Sequence, residues 1–160
     1  MTPDPELRER LRFLLRVVDR EKSHLRATDE RLFAEPFTVE RAKALDQDEE
    51  QAERAEAFVG RFGRFQDTLG DKLLPAYLGA EGEKPHTAME RFDLAERLGL
   101  FPSADAWFSM RKLRNQMVHE YIEDPALLAS ALQSGHEFVP TLLGVAHALT
   151  AAIGKRGWLD

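Results

Sequence analysis

The sequence predicts an all-α protein, an antiparallel bundle of about five helices, from two observations: apolar residues recur at helical spacing, and no segment alternates as a strand would. A chain of 160 residues has the length of one ordinary domain, so residues 1–160 are expected to share a single core. With 43% hydrophobic and 31% charged residues the composition is that of a globular protein.

The first helix carries its stripe on Leu7, Leu11, Leu14, Val18 and Leu25, with arginines and glutamates on the other faces. After "FAEPF", Thr38 is a candidate N-cap. The charged stretch "VERAKALDQDEEQAERAEAF" then leads into Phe58, Phe62, Phe65, Leu69 and Leu73, read as one continuous or mildly bent second helix that "PAYLGAEGEKPH" stops from Pro75 onward. Gly60, Gly63 and Gly70 each weaken that helix, which points to close helix packing. Thr87 and Glu90 have the form of a capping box, and Met89, Phe92, Ala95 and Leu98 end at Gly99, a natural C′ residue. Ser103 opens a fourth helix through Met110, Leu113 and Met117. Asp124 and Pro125 look like an N-cap and N1 pair for the last helix, whose core side runs from Leu128 to Ile153. Pro140 within it predicts a kink near 135–140.

A formal charge of −6 argues against nucleic-acid binding by bulk electrostatics, so any such role must be local. No cysteine is present, which removes disulfides and thiolate metal sites. The N-terminal leucines alternate with charged residues, unlike a signal peptide. No run approaches the roughly 18 apolar residues of a membrane span, so the expectation is a cytoplasmic, soluble protein. His24, His86, His136 and His147 lack metal-ligand spacing, and neither metal nor cofactor is expected.

One stretch departs from ordinary bundle chemistry. "LRNQMVHEY", residues 113–121, sets Arg114, Asn115, His119 and Tyr121 close together in the fourth helix. At about 100° per residue, Arg111, Asn115 and His119 lie along one edge, while Arg114 and Tyr121 share a second. Arg114 and His119 diverge by about 140°, so only the long arginine, or a symmetry-related copy, brings the two functions together. A plain reading leaves Arg111, Lys112 and Arg114 solvated, with Asn115, His119 and Tyr121 satisfying one another at a helix seam. Gln66 and Asp67 interrupt the phenylalanine face of the second helix; Asp67 is either an ordinary exposed carboxylate or one packed near His119, where it would fix the imidazole tautomer.

Arg114, His119 and Tyr121 match R-x4-H-x-Y, and the motif resembles that of the HEPN family, specifically the HepT-like toxins encoded beside small nucleotidyltransferase antitoxins. "FGRFQDTLGDKLLP" and "AERLGLFPSADAWFSMRKLRNQMVHEYIEDP" are similar to the helices and tryptophan turn of such proteins, and the resemblance spans roughly residues 55–153. It implies a HEPN-like bundle and a homodimeric, metal-independent endoribonuclease with a composite site at the subunit interface. Arg114 would hold the scissile phosphate, His119 would act as general acid or base, and Asn115 would orient either group. Tyr121 would accept AMP from the cognate nucleotidyltransferase, which silences the site. The alternative is a non-catalytic HEPN module that binds nucleotide or docks to the nucleotidyltransferase.

Overall fold

The computed structural model describes residues 2–119 and 122–160, and His119 by its backbone alone. The elements in order are α1 (Pro5–Leu32), α2 (Val39–Lys43), a 3-10 turn (Ala44–Gln47), α3 (Glu49–Asp67), a π-helical turn (Thr68–Leu73), α4 (Leu74–Ala80), α5 (Ala88–Arg97), α6 (Ala104–His119) and α7 (Pro125–Lys155). The fold is all-α, with no strand among the described residues.

The stripe of α1 is buried at Leu11, Leu14, Val18 and Leu25 and packs on α3 and the π-turn. Phe58, Phe62 and Phe65 of α3, Trp107 of α6 and Leu142, Leu149 and Ile153 of α7 complete one cluster with it. Gly135 marks where α7 comes close to α3, since a Cβ there would lie 3.1 Å from the Phe58 ring. α6 rests against α3, α5 and α7.

The caps fall where side-chain chemistry places them. Thr38 Oγ1 accepts from Arg41 N, and Asp124 Oδ1 accepts from Ala126 N at 2.8 Å. Thr87 Oγ1 accepts from Glu90 N, but the Glu90 carboxylate takes the N–H of His86 rather than that of Thr87, so the box closes one residue further out. Gly99, at φ +75°, ends α5 with Leu100 N donating to Ala95 O, the six-to-one bond of a Schellman turn.

Three expectations change. The second helix is not continuous. Asp48 leaves helical geometry at φ −128° and ψ 87°, and its carboxylate accepts from Gln51 N, so a local cap wins over helix propagation and separates α2 from α3. Pro75 does not stop the next helix. Leu74 N bonds to Leu69 O, one residue further back than in an α-helix, and this wider turn brings Pro75 into the first turn of α4, where a missing N–H costs little. Finally, α7 is by length and composition alone long and apolar enough to cross a membrane, with a window of mean hydropathy 1.3, where no such stretch was expected. Gly, Ser, Thr and His interrupt its apolar residues without adding charge. In this fold Leu132, Val139, Leu142 and Leu149 of α7 are core. α7 runs unbroken through Pro140.

Candidate functional site

The site is built on α6, whose start is fixed twice. Ser103 Oγ accepts from Ala106 N at 3.0 Å, and Glu96 Oε1 of α5 accepts from Ala104 N at 2.7 Å. One turn on, Trp107 is 1% exposed, its ring 4.3 Å from Phe101 and 6.0 Å from Phe92 by centroid. Gln66, fully buried on α3, donates from Nε2 to Trp107 O. The first half of α6 is therefore locked in angle and height before the polar residues begin.

The second half is held by charge. Arg114 donates from both terminal nitrogens to Asp67 at the end of α3, at 3.0 and 2.8 Å, a bidentate guanidinium–carboxylate pair. Its stem lies against Gly63, where a Cβ would sit 3.1 Å from Arg114 Cδ; only glycine leaves that passage open without a shift. Arg111 Nη2 binds Asp71 Oδ2 at 2.6 Å and lies 3.7 Å from Asp67 Oδ1. Arg91 of α5 takes the other oxygen of Asp71 at 3.0 Å. The guanidiniums of Arg91 and Arg111 both lie over the Phe92 ring, at 5.1 and 5.4 Å.

These five side chains form a row across four elements, α5, the π-turn, α6 and α3: Arg91, Asp71, Arg111, Asp67, Arg114. Three guanidiniums face two carboxylates, leaving one formal positive charge. The arginine side chains are the inner members, at 12% exposure for Arg114 and 19% for Arg111, while Asp67 and Asp71 are outer at 40% and 39%. The Nε atoms of Arg91, Arg111 and Arg114 are buried without a hydrogen-bond partner among the described residues. Gly70 in the π-turn lets the row sit on the aromatic cluster, because a Cβ there would meet Phe92 at 3.0 Å and Trp107 Nε1 at 3.1 Å.

Of the residues singled out in the sequence, Arg111, Arg114 and Asp67 come together. Arg111 and Arg114 are mostly buried rather than solvated, because the aspartates supply the partners that water would otherwise provide. Asn115 is exposed on α6. His119 ends α6, its side chain outside the description, and Tyr121 lies outside the described residues. Asp67 binds Arg114; any approach to His119 lies outside them as well. Asp71 and Arg91 escaped the sequence reading. Asp71 follows Asp67 by four residues, which was a usable signal for a shared face, whereas Arg91 enters only through the packing of α5.

Gly60, in contrast to Gly63 and Gly70, has only the Arg64 side chain of its own helix within 4.0 Å, so it marks no close approach. Between the end of α6 and the start of α7 lies a recess of about 510 Å³, lined by Leu113, Gln116, Ile122, Leu127 and Ser134. Among the described residues no three His, Cys, Asp or Glu side chains gather in a way that could hold a metal ion. Fold and site together define an all-α bundle with a cross-helix arginine–aspartate row. No family model, curated protein or solved structure matches the chain.

Proposed function

We propose that the chain is a HEPN-like, HepT-like toxin: a metal-independent endoribonuclease that acts in the cytoplasm as a homodimer and is silenced when a cognate nucleotidyltransferase transfers AMP to Tyr121. The observation that carries this reading is the seat built for Arg114, five residues before His119 on the same helix. A bidentate carboxylate fixes its guanidinium and a glycine notch takes its stem, which is more than an ordinary surface arginine needs.

In this reading the ribose 2′-OH attacks the adjacent phosphorus, the P–O5′ bond breaks, and the products are a 2′,3′-cyclic phosphate and a 5′-hydroxyl. His119 takes the 2′ proton or delivers one to the leaving oxygen, since an imidazole can serve as either general base or general acid. Arg114 stabilises the charge that develops on the phosphoryl oxygens, and Arg111 adds to the local positive potential. Asn115, exposed beside Arg114, is free to orient the phosphate or the imidazole. A second copy doubles the positive cluster in the cleft and answers the objection posed by a net charge of −6. AMP on Tyr121 adds bulk and negative charge next to it.

The second reading, a HEPN module that binds nucleotide or docks to the nucleotidyltransferase without cutting RNA, is favoured by one specific feature. Both terminal nitrogens of Arg114 are already occupied by Asp67. One experiment separates the two: RNA cleavage in EDTA by demodified wild type and by His119→Ala, with intact masses recorded first. Cleavage by wild type alone, with a 2′,3′-cyclic end, supports the nuclease. Silence from both proteins at unmodified mass supports the binding module.

A further inference from the structure

Resting on the reading of Arg114 as the phosphate-binding group, we propose that Asp67 is a resident anion closing that subsite, and that Arg111 is where it moves when a substrate phosphodiester takes Arg114. A guanidinium offers two forks to a bidentate oxyanion: its two terminal nitrogens, or one terminal nitrogen with Nε. In Arg114 the first fork is filled by Asp67 and the second includes a buried Nε. No complete fork is left open, so a phosphate held as a fork must displace the carboxylate.

The row has a place for the displaced group. Asp67 Oδ1 is already 3.7 Å from Arg111 Nη2, and closing that pair by about 1 Å makes a hydrogen bond. Arg111 can accept it because Arg91 shares the burden of Asp71, binding its other oxygen. Exposure points the same way: the aspartates are the outer members, so an incoming anion meets Asp67 before it meets Arg114. The charge count selects the ligand. Three guanidiniums against two carboxylates and one singly charged phosphodiester balance, whereas a terminal phosphate dianion overshoots. The subsite is therefore matched to an internal linkage of a nucleic acid strand rather than to its end.

The test is equilibrium binding of a fluorescent RNA oligonucleotide, 2′-O-methylated at every sugar so that it cannot be cleaved, to full-length wild type and four full-length variants. Asp67→Asn keeps the shape of the partner and removes its charge; affinity should rise about tenfold over wild type, the scale of one close charge pair at a binding surface. Arg114→Ala should bind more weakly than wild type. Asp93→Asn, an exposed site on α5 outside the row, controls for net charge and should stay within about twofold. Asp71→Asn, which frees Arg111 to draw Asp67 away, should fall between Asp67→Asn and wild type, and keeps the inference testable where Asp67→Asn folds poorly.

If Asp67→Asn binds no better than wild type while Arg114→Ala loses affinity, Asp67 orients the arginine instead of closing it, and the inference fails while the phosphate reading stands. Equal tightening by Asp67→Asn and Asp93→Asn reduces the effect to bulk charge and also overturns it. If Arg114→Ala binds like wild type, the phosphate reading itself falls, and this inference with it.

Discussion

In the first half of α6, Trp107 is 1% exposed and surrounded by Phe92, Phe101 and Phe138, while in the second half Lys112, Asn115, Gln116 and Val118 all face solvent. The same helix is anchored at one end by apolar burial, which is insensitive to direction, and at the other by Arg111 and Arg114, which need partners at defined angles. The difference is instructive because the polar half has no deep apolar anchor of its own. Its position is inherited from the tryptophan end and then fixed by the aspartates of α3 and the π-turn.

The largest effect should come from breaking the apolar end. Trp107→Ala removes the biggest fully buried side chain and should cost about 3–5 kcal/mol in urea unfolding. It should also release Arg111 and Arg114 from their aspartates, since α6 then loses its height. A loss below about 1 kcal/mol would show that the two ends are held independently. Arg114→Ala should cost less, about 1–2 kcal/mol, because Asp67 is 40% exposed, can be hydrated, and still has Arg111 within reach. A double-mutant cycle with Asp67→Ala should recover a coupling of about 1 kcal/mol. No measurable coupling would mean that the seat of Arg114 is a geometric coincidence.

The same contrast explains what was legible in the sequence. Apolar spacing located Leu11, Leu14, Phe58, Phe62, Phe65 and Trp107's helix correctly because burial depends only on which face a residue occupies. Thr38, Thr87, Ser103 and Asp124 were readable as caps because a cap is a bond between near neighbours. The break at Asp48 and the π-turn before Pro75 were not, since both are decided by competition between a local hydrogen bond and helix propagation, which periodicity does not weigh. At the site, Arg114 stood out within the polar cluster of 113–121, Arg111 by sharing a helix edge with Asn115 and His119, and Asp67 by interrupting the phenylalanine face of its helix. The pairing of Arg114 with Asp67, and the part played by Asp71 and Arg91, depend on how α3, α5 and α6 cross, and no single segment records a crossing.

The smallest expected effect on the folded chain tests the exposed end. Val118 sits one residue before His119 and is 50% exposed, and Leu127 at the start of α7 is 63% exposed. In dilute solution, where only the isolated chain unfolds, Val118→Glu should change stability by no more than about 0.5 kcal/mol, as at other surface positions. A composite site at a two-fold interface makes a further demand on the same residue. There each copy would present Val118 near the symmetry axis, and glutamate would place two like charges across it, so sedimentation equilibrium should show wild type dimerising and Val118→Glu shifted toward monomer. Dimerisation unchanged by the substitution would remove this end of α6 from the interface. A wild type that stays monomeric at every concentration would leave Arg114 and His119 without the second copy that the ribonuclease reading requires.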